Sequence, residues 1–335
     1  MKIKLMAVLV TGFVSLGAVG VNETTLGYPG YFPAPEYNFA GMPLDSTQRE
    51  LGRKLFYDPI LSADNSTSCA SCHTSYNAFA HTDHSLSHGI NDEIGNRNAP
   101  ALFNLAWQRD FMWDGAASSL EDQALAPIGH PKEMGSSMAE VVRKLTASDM
   151  YKRLFNGAFG YTNITSDEVL TSLAQFQRSI ISCNARYDQV KQGKSSFTAQ
   201  EENGYRLFLQ HCNSCHTEPL FSNYQVANNG LPVDTTLNDF GRWMVTHRSE
   251  DSLLFKTPSL RNLRYSYPYM HDGRFKTVKQ VVDYYMKDVQ RHRTLSAQLK
   301  VPIILSPIDK VDLIAFLATL NDETFVFNPQ YQYPR

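Results

Sequence analysis

Apolar residues recur every three or four positions in several stretches of the chain, and most of these stretches open on a residue able to cap a helix. In "DSTQRELGRKLFYDP", Leu51 and Leu55 share a face, Ser46 or Thr47 can cap, Glu50 sits in the first turn, and Pro59 ends the run. "SDEVLTSLAQFQRSII" sets Val169, Leu173, Phe176 and Ile180 on one stripe, and "SMAEVVRKL" puts Val141, Val142 and Leu145 at helical spacing. "SSLEDQALAP" reads as a helix running to Pro127, and "TVKQVVDYYM" as another. In "SPIDKVDLIAFLATL", Ser306 caps, Pro307 takes the first helical position and Asp309 sits early. Strand-type alternation is scarce. The pattern predicts a mostly α protein with long loops.

One unit occurs twice. "TAQEENGYRLFLQHCNSCH" has Thr198 as cap, Glu201 three residues on, and Leu207 and Phe208 on its apolar side. Its Gly204-Tyr-Arg-Leu-Phe208 matches Gly52-Arg-Lys-Leu-Phe56, and each helix leads to a Cys-x-x-Cys-His turn, the first copy after an insertion. Pro and Gly crowd residues 28–43, which reads as an extended arm. With a linker at "KQGKSS", the chain divides into an arm over 21–44 and two domains over 45–193 and 194–335.

Composition narrows the class. A chain of 335 residues with 42% hydrophobic content can bury a sizeable core. The net charge is -2, from 31 basic and 33 acidic residues, and no basic tail points to nucleic acid. At the N-terminus, Lys2 and Lys4 precede a short apolar stretch, and Ala18 and Gly20 are small residues at cleavage spacing. Residues 1–20 read as a signal peptide. The alternative, an uncleaved anchor, has too short an apolar stretch for a span of about 20 residues. The expected location is the periplasm, an oxidising compartment.

Four of the five cysteines sit in "CASCH" (Cys69, Cys72, His73) and "CNSCH" (Cys212, Cys215, His216). A two-residue gap lets two thioethers reach adjacent edges of one porphyrin, while the following histidine turns in to bind iron. A disulfide within each pair and a zinc site compete, though zinc needs a fourth soft ligand near each motif. Duplication, with histidine directly after the second cysteine both times, favours two covalent haem c groups. Cys183 is left over and reads as a buried free thiol.

Two further stretches, "FMWDGAASSLEDQALAPIGHPKEMG" and "FKTPSLRNLRYSYPYMHDGRFKTVKQVVDYY", complete a resemblance to the bacterial di-haem cytochrome c peroxidase family, including its MauG-like branch. It covers roughly residues 45–325. The resemblance implies two cytochrome c-like domains, each with one covalent c-type haem. The N-terminal haem would react with hydrogen peroxide, and the C-terminal haem would relay an electron. It implies Trp113 between the haems, and Gln123 and Glu133 lining the peroxide pocket. His88 is the best match to a histidine that caps the first iron in a resting form, with His81 and His84 as weaker matches. Asn98, Ser266 and Pro268 match positions of a calcium site.

The ligand opposite His216 departs from the methionine-type pattern. The family's methionine stands fourteen residues after the histidine of "YMHDG"; here, counting from His271, that is Tyr285, as in MauG-like members. Met286 lies about 100° away around a helix, and Met270 is a further fallback. Gln210 replaces the tryptophan that MauG carries two residues before its second motif. The leading expectation is a peroxidase fed by a small c-type cytochrome or another redox protein. MauG-like oxidation of a protein substrate and a non-enzymatic di-haem carrier or sensor are the alternatives, and a homodimer follows by analogy.

Overall fold

The computed structural model describes residues 26–36 and 43–334. The signal peptide and part of the arm read from the sequence lie outside the described residues. The helices in the first half are α1 (Ser46–Tyr57), α2 (Cys69–Cys72), α3 (Leu120–Gly129), α4 (Met138–Ala147), α5 (Asp149–Phe159), α6 (Ser166–Arg178) and α7 (Arg186–Lys191). There follow α8 (Ala199–His211), α9 (Trp243–Thr246), α10 (Val278–Lys287), α11 (Pro307–Ala318) and α12 (Glu323–Val326). Val226–Ala227 (β1) and Phe255–Lys256 (β2) form a short antiparallel pair. The protein is mostly helical with long loops, as the periodicity predicts.

Local chemistry explains the boundaries. Thr198 and Ser306 cap α8 and α11, each with an acidic residue three positions on closing the box. At α1 the cap is Asp45, not Ser46 or Thr47. Its carboxylate accepts from the amides of Thr47 and Gln48 at 2.8 Å each, and its charge suits the positive helix end. Helix α3 runs two residues past Pro127, which leaves the Gln123 carbonyl without its helical amide partner. Helix α5 follows α4 after a single residue, Ser148, which caps it.

The sequence repeat is a packing unit. Helix α1 crosses α6, and α8 crosses α11. A Cβ on Gly52 would lie 1.8 Å from the Ser172 carbonyl oxygen, and one on Gly204 would lie 2.0 Å from that of Asp312. Each glycine therefore lets a motif-bearing helix touch the backbone of its partner. Leu55, Phe56, Val169, Leu173 and Phe176 build the first core on one crossing. Phe208, Leu313, Phe316 and Leu317 build the second on the other.

Both chain ends cross over. Phe325 and Val326 of α12 bury themselves in the first core, while Tyr187 of α7 packs in the second. The arm residue Phe32 packs with Trp107, Ile181 and Leu220. Beside it Arg261 and Asp188 form a fully buried ion pair, with nitrogen–oxygen distances of 2.8 and 2.7 Å. The carboxylate also accepts from Tyr31 Oη at 2.6 Å and from the Ala185 amide at 2.7 Å. Every oxygen of this buried charge is thus occupied twice, as a desolvated carboxylate requires.

Candidate functional site

Both Cys-x-x-Cys-His stretches close the same turn. The His73 amide donates to the Cys69 carbonyl and the His216 amide to the Cys212 carbonyl, each at 2.9 Å. Nδ1 of His73 lies 2.8 Å from the Phe79 carbonyl, and Nδ1 of His216 lies 3.1 Å from that of Pro258. A carbonyl can only accept, so Nδ1 carries the hydrogen and Nε2 is left with its lone pair. Burial pulls both imidazoles down to about 4, against the pull of those carbonyls. Neutral imidazoles with a fixed tautomer, each beside two free thiols, are the donor set that a covalent haem needs.

One continuous cavity of about 640 Å³ reaches both motifs. His73, Gln123 and Glu133 line it on the first side, His216 and Tyr285 on the second, with Trp113 in the wall. Helix α3 delivers Gln123, whose Oε1 is buried with no hydrogen-bond partner among the described residues. An acceptor so placed is available to a ligand O–H. Burial raises the Glu133 carboxyl above its ordinary value, and His130, with Nδ1 3.8 Å from Oε1, opposes the rise. Trp113 is held from both halves. Its Nε1 donates to the Asn98 carbonyl at 2.8 Å, and its own carbonyl accepts from the Lys256 amide at 2.7 Å. Arg97 ties the same wall together by bonding Asp114 at 2.5 Å and Asp239 at 2.6 and 2.8 Å.

On the second side, Tyr285 of α10 faces the cavity, while Met286 packs against the second core. The one-residue difference around the helix separates the two, and Met286 is not among the residues that line the cavity. Burial pushes the Tyr285 phenol up to about 12, against a hydrogen bond from Asn229 Nδ2 at 3.4 Å. The same Nδ2 lies 3.5 Å from Met270 Sδ, and Met270 also lines the cavity. Asn229 therefore sits between two of the candidate ligands. No motif marks it in the sequence.

His88 stands elsewhere. Its ring stacks on His84 at 4.3 Å, and both line a smaller pocket with Tyr267 and Lys276. His81 meets His84 edge-on and has a buried Nδ1 without a partner among the described residues. The loop still touches the first site through its backbone. The His88 carbonyl accepts from Cys72 Sγ at 3.4 Å, and the Ile90 amide donates to the Glu133 carbonyl at 2.8 Å. Asn98 is brought to Pro268, donating to its carbonyl at 2.6 Å, and its Oδ1 is buried without a partner among the described residues. Ser266 lines the cavity nearby. Cys183 is a half-buried free thiol pushed up to about 12 by burial, with Sγ 3.6 Å from the Gly27 carbonyl.

Residues 46–196 match the family described as di-haem cytochrome c peroxidase, and residues 201–321 match cytochrome c. The chain is 38% identical to the methylamine utilization protein MauG of Methylorubrum extorquens, over 88% of this chain and 83% of that protein. It is 34% identical to the cytochrome c551 peroxidase of Nitrosomonas europaea, over 87% of this chain and 84% of that protein. A crystal structure of a MauG-like protein associated with microbial copper homeostasis superposes with a TM-score of 0.84 at 30% identity, covering 92% of this chain and 99% of the other.

Proposed function

The chain belongs to the di-haem cytochrome c peroxidase family, which acts on peroxide, and we propose that it reduces hydrogen peroxide to water beside His73 with electrons that enter past His216. Its two cytochrome c-type domains bind haem c, which supplies at each motif an iron able to exchange single electrons. The observation that carries the reading is a single cavity joining His73, Gln123 and Glu133 to the second motif. Glu133 takes a proton from one peroxide oxygen and returns it to the other as the bond between them breaks. A carboxyl whose affinity for protons is raised by burial suits both steps. The unpartnered Oε1 of Gln123 accepts the peroxide O–H and fixes its direction. Trp113, anchored to Asn98 and Lys256, relays the electron.

Glu133→Gln tests the assignment. Peroxide turnover is expected to fall about 10²- to 10⁴-fold, with haem content unchanged. Undiminished turnover removes Glu133 from the reaction.

Tyr285 favours a second, related reading, in which peroxide is used to oxidise residues of a partner protein. A tyrosinate is hard and anionic and lowers the potential of an iron that methionine would raise. The likeness to MauG supports it. A long-lived oxidised state in the absence of donor favours this reading, and rapid turnover with a reduced cytochrome counts against it. A non-enzymatic carrier finds no parallel in the relatives above, which are named as peroxidase or MauG.

The proposal includes a calcium ion held by Asn98 Oδ1 and the carbonyls of Ser266 and Pro268. The amide of Asn98 would have to turn over so that its oxygen, now unpartnered, faces the Pro268 carbonyl. His88 serves as resting-state iron ligand only if its ring leaves His84. Periplasmic location and a homodimer complete the proposal. Cell fractionation and light scattering check them.

A further inference from the structure

Helix α9 and the loop over residues 290–301 border the cavity. Met244, Val245, Gln298 and Leu299 all line it. Contacts join the two segments edge to edge: Arg293 donates to the Ser249 carbonyl, and Thr294 Oγ1 to the Ser252 carbonyl at 2.7 Å. The rim is apolar and exposed. Phe240, Trp243, Met244 and Val245 are 37%, 38%, 45% and 44% exposed. They form one patch, since Trp243 packs on Phe240 at 5.8 Å and on His247 at 5.6 Å. Residues so apolar and so exposed at the border of a functional cavity mark a contact surface.

Charge identifies the kind of partner. Over residues 240–252 and 290–301 the basic side chains are Arg242, Arg248, Arg291, Arg293 and Lys300, and the acidic ones are Glu250 and Asp251. Both acids are already engaged, Glu250 by Arg248 and Asp251 by Thr246 and Arg242. Arg291 and Lys300 are exposed, and their side chains make no ion pair or hydrogen bond among the described residues. This excess of positive charge stands out in a chain whose net charge is -2.

We propose that this rim is the docking surface for an acidic redox protein with an apolar contact face, which passes electrons inward toward the His216 side. The inference rests on the peroxidase reading and names its partner. Each docking event delivers one electron. Two events, with two protons, convert one hydrogen peroxide to two waters. The free cations steer the partner in, and the Trp243 patch seats it.

The test uses the full-length holoenzyme and two donors that share a fold and a haem, namely a reduced lysine-rich cytochrome c and the same protein succinylated to a negative charge. At low ionic strength the succinylated form is expected to be oxidised at least about 10-fold faster in kcat/KM, with the advantage lost as salt rises. Arg291→Glu combined with Lys300→Glu is expected to reverse the preference, and Trp243→Ala to slow the succinylated donor. Neutral hydroquinone, too small to need the rim, should drive peroxide consumption equally in all of them. Equal rates for the two cytochromes, or faster oxidation of the basic one, while hydroquinone still supports turnover, overturn the docking surface alone. Failure of hydroquinone and both cytochromes to support peroxide consumption overturns the peroxidase reading, and the docking surface with it.

Discussion

Replacing His130 by glutamine should move the acid limb of the peroxide pH profile upward. His130 Nδ1 stands 3.8 Å from Glu133 Oε1, and a protonated imidazole there favours the carboxylate form. Two unit charges at that distance interact by about 1.1 kcal/mol in water and about 4.4 kcal/mol at an effective dielectric of about 20. Glu133 is only partly buried, with 36% of its side chain exposed, and His130 is 47% exposed, so solvent screens the pair and the lower figure applies. About 1.1 kcal/mol corresponds to ~0.8 pH unit. The sign follows from the roles. His130 lowers the proton affinity of Glu133, so its removal raises the Glu133 pKa further, and the proton-accepting form is lost at a higher pH as the solution is acidified. The assay is kcat/KM for peroxide against pH at low ionic strength, in wild type and His130→Gln. The limb is expected to shift upward by somewhat under one unit, and the shift should shrink in high salt. A limb that stays put at low salt, or moves to lower pH, refutes the electrostatic link between the two residues.

Three other outcomes are expected. Gly204→Ala forces α8 away from the Asp312 carbonyl, and the holoprotein should lose at least ~1–3 kcal/mol in denaturant unfolding; an unchanged midpoint would mean the crossing is looser than described. Tyr31→Phe removes one of four contacts to the buried Asp188 carboxylate and should cost about 1.5–3 kcal/mol, read from the same titration. Asn229→Leu deprives Tyr285 of its donor and leaves its oxygen more basic, so the optical spectrum of the His216-side haem should change and its potential fall while the His73 side is unaffected; identical spectra and potentials would remove Asn229 from any role there.

Much of the helical plan is written in local chemistry, and so it can be read directly from the residues. Caps such as Thr198 and Ser306 act within one turn, and the Gly-x-x-Leu-Phe repeat marks both helix crossings. The two Cys-x-x-Cys-His turns are equally plain, because each is a short motif, whereas Gln123 and Glu133 stand out only through the family resemblance of the stretch that holds them. Loop-borne features are not. Asn229 reaches Tyr285 across 56 residues, and Asn98 reaches Pro268 across 170, through bonds that leave no local trace. His88 looks like a residue aimed at the first motif, yet stacking on His84 turns its ring into another pocket. At α1, Asp45 wins over two hydroxyl neighbours because its carboxylate takes two amides at once.

The exchange of chain ends bears on how far the two repeated units can be treated as modules. A protein severed between Lys191 and Ala199 would leave Phe325, Val326 and Tyr331 on one fragment and the core they fill on the other. The second fragment would also be stripped of Tyr187, Asp188 and the Phe32 cover over Arg261. Neither piece alone could shield its apolar interior from water, and Arg261 would face a buried site without a counter-ion. Each repeated unit completes the interior of the other, and the molecule is expected to assemble as one indivisible unit.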